Sequence, residues 1–185
     1  MMQELSMNVL DIAENSVSAG AKLIQITVDE QPTQDLLTIN IEDDGIGMTE
    51  EQLSRVSDPF YTSRTTRKVG LGIPFFRMAA EITGGSFDIS GKPGSGTQIN
   101  AKFVLSSIDR MPLGNINDTI FTLIHCNAEI DFLYTRRLGS DEMKLDTRSF
   151  REVLGDIPLN TPEVSKFIRG YLEENTDELL KETEK

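Results

Sequence analysis

Apolar residues near the start of the chain recur with the period of a helix. Leu5, Val9 and Ile12 share one face with Ser16, and this spacing predicts a helix over residues 4–19.

The period then changes from helical to alternating, which predicts strands with one buried and one wetter face. A Gly-rich turn and a helix over residues 72–83 interrupt this pattern before it resumes. The alternating segments cover residues 23–28, 36–42, 86–90 and 97–105. A helix-and-sheet unit is therefore predicted to close near residue 105.

The remainder of the chain predicts a second, smaller α+β unit. Residues 106–115 are typical of a linker, and a helix, a hairpin and two further helices follow. We therefore place a domain over residues 1–106 and an appendage over residues 107–185. The appendage is predicted to contact a partner protein or, as an equal alternative, only to cover the sheet.

Composition narrows the functional class. The 185 residues carry a net charge of −12, which is not the basic footprint of a nucleic-acid-binding protein. No apolar run reaches the roughly 20 residues of a membrane span, and the N-terminus lacks a signal pattern. The single cysteine, Cys126, excludes a disulfide within the chain and favours a reducing, cytoplasmic environment.

Common catalytic motifs are missing from the sequence. There is no P-loop. His125 is the only histidine, and because it lies on an apolar helix it is predicted to pack in the core. Catalytic triads and histidine metal sites are therefore excluded. What remains is an ordered set of short polar and Gly-rich motifs. These are Asp11 with Asn15, "DDGIGM" (43–48), "DPFYTSR" (58–64), "VGLG" (69–72) and "GG…S…GSGT" (84–97).

Together, these motifs resemble the GHKL superfamily of ATP-binding domains, which includes gyrase, MutL-type mismatch-repair proteins and bacterial histidine kinases. The resemblance covers roughly residues 5–105. It implies an α+β fold of the Bergerat type, a two-layer α/β sandwich in which a mixed sheet carries helices on one face. It also implies that ATP and Mg²⁺ are the cofactors.

The resemblance assigns roles at the metal and adenine ends of the nucleotide. Asn15 matches the asparagine whose side-chain oxygen binds Mg²⁺, an ion that prefers oxygen ligands. Asp43 matches the aspartate that accepts a hydrogen bond from the adenine amino group, and Thr97 matches a threonine at the same end. The other residues matched to the adenine end are Gly45, Gly47 and Met48.

A second group of residues matches the phosphate end and its lid. Gly70, Leu71 and Gly72 open a helix whose N-terminus attracts phosphate. Arg64 matches a γ-phosphate-binding lysine of related kinases. Lys68 replaces a further glycine of the kinase lid, so it either stiffens this lid or adds a phosphate contact.

Asp11 is the candidate catalytic residue. It lies four residues before Asn15, where MutL-type relatives carry a glutamate that acts as general base. Aspartate is one methylene shorter, so a purely structural role is the alternative.

Three functions follow from the resemblance. The first is signalling or regulation by phosphoryl transfer to a partner protein or by slow ATP hydrolysis. The others are a non-catalytic adenine-nucleotide sensor and a MutL-type conformational ATPase, with a homodimer as one option. Residues 131–168 also resemble the tail of small ATP-binding proteins associated with iron-only hydrogenase and NADH-dehydrogenase-type subunits, which suggests such a subunit as the partner.

Overall fold

The computed structural model describes residues 3–56 and 72–182 of the chain. A short 3-10 turn (Pro32–Gln34) joins the first two strands. The helices are α1 (Leu5–Ser18), α2 (Glu50–Arg55), α3 (Gly72–Glu81), α4 (Ile116–Cys126), α5 (Thr147–Leu154) and α6 (Pro162–Glu182). The strands are β1 (Leu23–Gln31), β2 (Leu36–Asp43), β3 (Ser86–Gly91), β4 (Thr97–Val104), β5 (Asp131–Leu138) and β6 (Asp141–Asp146).

The six strands form one mixed sheet in the order β3-β4-β2-β1-β5-β6. Neighbouring strands are antiparallel, with the exception of β1 and β5, which are parallel. Antiparallel strands can be joined by short turns, whereas parallel partners require a long crossover. The chain accordingly passes through β2, β3, β4 and α4 before β5 returns to the side of β1.

One face of the sheet is apolar and supports the helices. In β1, Ile24, Ile26 and Val28 are buried, while Gln25 and Thr27 between them are half-exposed. Successive strand side chains point to opposite faces, so this alternation separates a core face from a polar face. Each buried aliphatic side chain of this kind stabilises the fold by about 1.5–3 kcal/mol.

The main helices form a second layer over that apolar face. α1 contacts α3 on one side and α4 on the other, and α4 contacts α6. Leu5, Val9 and Ile12 of α1 are fully or almost fully buried, as their helical spacing predicts. The predicted fold class, a mixed sheet with helices on one face, is confirmed.

The C-terminal residues continue the same sheet. β5 lies along the whole of β1, and β6 forms the outer edge beside β5. The preceding linker is bonded to the start of α1, since the Leu5 and Ser6 amides donate to the carbonyls of Pro112 and Leu113. The second half of the chain therefore contacts both layers of the first.

His125 was predicted to pack in the core, and this prediction is wrong. Its side chain is exposed on α4, where the ring stacks on Phe121 with centroids 5.5 Å apart. Its Nδ1 lies 2.9 Å from Ser165 Oγ. The apolar stripe of α4 passes through Leu123 and Ile124 instead, which leaves the next residue on the outer side.

None of the helices in the two described ranges is long and apolar enough to cross a membrane.

Candidate functional site

α1 presents two polar side chains beside its buried stripe. Asp11 and Asn15 are both half-buried, and their spacing of one helical turn places them on the same side of the helix. α3 packs along α1, and its first residue, Gly72, lies against Asp11. A group bound between the two helices could therefore contact both side chains.

Gly72, the first residue of α3, lies directly against Asp11. A Cβ atom on Gly72 would stand 1.7 Å from Asp11 Oδ2, so no other residue type fits without moving the carboxylate. The N-terminus of a helix carries partial positive charge, which favours a neighbouring carboxylate. The structure thus gives Gly72 a role in helix packing, in addition to the phosphate contact implied by the resemblance.

Asp43, the last residue of β2, is a buried carboxylate with 8% of its surface exposed. Ser16 Oγ donates to its Oδ2 at 2.7 Å, and the Gly45 amide donates to its Oδ1 at 2.9 Å. Hydrogen bonds to a charged group stabilise by about 1.5–3 kcal/mol each. Both oxygens of the carboxylate are consequently held in place by the protein itself.

Thr97 is brought beside Asp43 by the pairing of β2 and β4. The two residues are direct partners in the strand register, and Thr97 is 9% exposed. They share an open cavity of about 290 Å³ at the strand ends with residues of the β3–β4 turn. Its other lining residues are Glu42, Ser90, Gly91, Lys92, Ser95, Gly96 and Gln98.

Two glycines allow the loops around Asp43 to pack closely. Gly47 has φ +68°, and a Cβ there would lie 1.9 Å from the Lys92 carbonyl oxygen. Gly96 has φ +76°, and its Cβ would lie 1.7 Å from the Asp43 carbonyl oxygen. Only glycine both adopts a positive φ without strain and leaves the space that a Cβ would occupy. The loop after β2 and the turn before β4 are therefore fitted to one another.

The remaining adenine-end residues belong to the same loop. Gly45 is buried, and a Cβ on it would lie 2.9 Å from the Ala19 carbonyl oxygen at the end of α1. Met48 is half-buried and packs against the core. Both residues thus have structural roles in joining this loop to the body of the protein.

The predicted site residues divide into those the structure places and those it does not describe. Asp11 adjoins Gly72, while Asp43 adjoins Gly45 and Thr97, and α1 connects the two groups. The predicted residues that lie outside the described ranges are Arg64, Lys68, Gly70 and Leu71.

Ser16 is the residue for which sequence reasoning assigned no role. It occupies a position in the apolar stripe of α1, one turn after Ile12, yet its side chain is polar and only 4% exposed. A buried hydroxyl at such a position requires a hydrogen-bond partner, and this requirement was the available signal.

Comparison with known proteins agrees with this geometry. A family model described as "Histidine kinase-, DNA gyrase B-, and HSP90-like ATPase" matches residues 1–107. The sensor protein SrrB of Staphylococcus aureus (strain NCTC 8325 / PS 47) is 37% identical over 101 residues. That match covers 52% of this chain and 17% of SrrB, so the chain spans only a small part of this relative.

Two solved structures are similar in fold. The Aquifex aeolicus MutL ATPase domain complexed with ADP has a TM-score of 0.50 at 12% identity, covering 92% of this chain and 88% of that one. The N-terminal domain of a DNA repair protein has a TM-score of 0.52 at 14% identity, covering 78% of this chain and 52% of that one. The resemblance inferred from the motifs is confirmed, and the chain belongs to the histidine kinase-, DNA gyrase B- and HSP90-like ATPase family.

Proposed function

We propose that this protein binds ATP·Mg²⁺ between α1, β2 and β4, and acts in signalling or regulation by transferring or hydrolysing the γ-phosphate. The observation that carries the proposal is the buried Asp43 carboxylate, which is held by Ser16 of α1 and by the loop after β2. Each of its oxygens accepts one hydrogen bond from the protein and can accept another. An adenine amino group is a donor of the kind that such a carboxylate would select.

Mg²⁺ fits the donor set on α1. Asn15 offers an amide oxygen, and Mg²⁺ is commonly bound by one or two protein oxygens together with phosphate oxygens and water. Bound there, the ion would neutralise phosphate charge. Asn15 would hold the ion one helical turn from Asp11, which lies against the first residue of α3.

Asp11 is the proposed general base. Its carboxylate lies at the N-terminus of α3, where the phosphate chain is proposed to end. A base at this place could accept a proton from water in hydrolysis or from a hydroxyl of a partner protein in transfer. Under the same proposal, Arg64, Lys68, Gly70 and Leu71 bind the phosphates.

The binding step is tested by calorimetric titration of ATP with and without Mg²⁺. The wild type should bind ATP more tightly with Mg²⁺, and Asn15→Ala should lose most of that difference. Asn160→Ala, in an exposed loop, is the matched control and should behave as the wild type. Equal Mg²⁺ dependence in Asn15→Ala and the wild type would contradict the metal assignment.

The chemical step is tested with labelled ATP. Asp11→Asn should bind ATP, but its rate of hydrolysis or transfer should fall at least about 10²-fold, which is the usual contribution of a general base to the rate. Glu14→Gln is the control, because Glu14 lies on the same helix but contacts Asn127, the residue that follows α4. Binding without turnover in the wild type, and equal affinity in Asp11→Asn, would favour the non-catalytic sensor instead.

A protein partner is supported by the surface of the C-terminal half. Phe150, Phe167 and Tyr171 form an aromatic cluster with centroids 5.6–6.2 Å apart. Phe167 is 58% exposed, and Val153 on α5 is 87% exposed. Exposed apolar groups of this kind favour protein contacts when they cluster. A hydrogenase-type subunit as that partner rests on the tail resemblance alone.

A further inference from the structure

Ser16 and Asp43 form a buried hydrogen bond between α1 and the end of β2. The hydroxyl oxygen lies 2.7 Å from Asp43 Oδ2, and both side chains are almost completely removed from solvent. Because an ionised carboxylate can only accept, the Ser16 hydroxyl is the donor. Its hydrogen therefore points toward the carboxylate.

The second oxygen of Asp43 is held independently. The Gly45 amide donates to Oδ1 at 2.9 Å, within the loop that follows β2. A carboxylate anchored through one oxygen can still rotate about its Cβ–Cγ bond, whereas donors on both oxygens fix its plane. Of these two donors, Ser16 is the one that comes from a different element, α1.

The position of Ser16 in the sequence indicates that the contact is specific. It continues the buried stripe of Leu5, Val9 and Ile12, where an aliphatic residue would contribute more to the core. A hydroxyl at this position loses that contribution and gains a bond to a single partner. The adjacent Asn15 belongs to the proposed metal end, so one helical segment serves both ends of the nucleotide.

We propose that Ser16 is a positioning residue that orients the Asp43 carboxylate toward an exocyclic amino group, and so contributes to the selection of adenine over other purines. The proposal rests on the proposed function, since it concerns the same nucleotide site. The Ser16 hydroxyl donates its hydrogen bond to Asp43, and it therefore affects the base only through that carboxylate.

The test compares ATP with purine riboside 5′-triphosphate, which lacks only the 6-amino group. Ser16→Ala should weaken ATP binding about tenfold, the effect of losing one hydrogen bond to a charged group. Binding of the purine analogue should change less than about twofold, because no amino group meets Asp43. The dissociation constant of the purine analogue divided by that of ATP should therefore fall toward one.

Ser18→Ala is the matched control, because Ser18 lies on the same helix and donates to the Glu14 carbonyl at its exposed surface. It should leave both affinities unchanged. Ser16→Cys keeps nearly the original volume with a weaker donor and should give an intermediate ratio. This variant also decides the matter if Ser16→Ala does not fold.

Equal weakening of both nucleotides would show a general structural role and overturn the proposal. Unchanged ATP binding in Ser16→Ala would overturn it as well, while leaving the proposed function intact. A wild-type protein that does not bind ATP would instead contradict the proposed function itself, and the positioning role with it.

Discussion

At the scale of single residues, the site depends on close contacts that the motifs indicate only in part. "DDGIG" after a strand pointed to Asp43 through the family resemblance, and the structure shows this carboxylate buried and bonded. The local pattern indicates that a buried Ser16 needs a hydrogen-bond partner but does not identify Asp43 as that partner, because the two residues are 27 positions apart. Local spacing describes one element at a time, whereas such bonds form only when two elements pack.

Gly94 and Gly96 allow a matched test of packing beside Asp43. Both have positive φ, but a Cβ on Gly94 meets no atom within 4 Å, whereas one on Gly96 meets the Asp43 carbonyl. We expect Gly94→Ala to lower the free energy of unfolding by about 1 kcal/mol through backbone strain alone. Gly96→Ala should lower it by about 3 kcal/mol, because overpacking adds to the strain.

Urea unfolding followed by circular dichroism measures both glycine variants. Equal losses would show that the turn before β4 can move away from Asp43, contrary to the fitted arrangement of the two loops.

At the scale of elements, the alternation of apolar and polar residues predicted most helices and strands but misplaced some of their ends. β1 was predicted to end at residue 28 and continues to Gln31. Its last residues pair with both β2 and β5, and the Glu30 carboxylate forms an ion pair with the buried Arg136 of β5. The polar end of this strand is therefore specified by tertiary partners, which periodicity does not contain.

Asp146 shows how one side chain starts a helix with little apolar content. It is the N-cap of α5, accepts the Arg148 amide at 3.0 Å, and pairs with the Arg148 guanidinium. Asp146→Ala should lower the free energy of unfolding by about 1 kcal/mol at neutral pH. Asp109→Ala, at an exposed position in the linker, is the control.

The same pair gives a pH dependence. Hydrogen bonding to Arg148 lowers the pKa of Asp146 below its ordinary value of 3.8. A carboxyl whose pKa is lower in the folded state stabilises the fold above its unfolded pKa, and this contribution disappears as the pH falls through the folded pKa. The difference in the free energy of unfolding between the wild type and Asp146→Ala should thus persist at pH 5 and shrink below pH 3.8. A difference independent of pH would contradict the role of the ionised carboxylate.

At the scale of the whole molecule, the two halves of the chain share one sheet. The pairing of β1 with β5 could not be predicted, because alternation identifies a strand but not its neighbour. It follows that residues 107–182 cover the side of β1 that would otherwise be an exposed edge of the sheet. Through α4 they also pack along α1, the helix that bears the proposed metal ligand.

This arrangement predicts that residues 1–106 alone are less stable than the full chain. Removing the C-terminal half uncovers the edge of β1 and the side of α1 that contacts α4. The fragment should unfold at lower urea concentration or associate through the open edge, as circular dichroism and light scattering would show. A monomeric fragment with the stability of the full chain would contradict this account.

The central claim is that Asp43 selects the adenine of a bound ATP, and calorimetric titration of ATP into Asp43→Asn tests it most directly. Asparagine preserves size, but it has one acceptor oxygen where the carboxylate has two. That oxygen can keep the bond from the Gly45 amide, whereas the amide nitrogen then replaces Oδ2 and turns a donor toward both the Ser16 hydroxyl and the adenine amino group. Asp88→Asn, on the exposed outer side of β3, controls for the loss of one charge. The account predicts at least a tenfold loss of affinity in Asp43→Asn, about 1.4 kcal/mol, with Asp88→Asn equal to the wild type. Unchanged ATP binding by Asp43→Asn would contradict it.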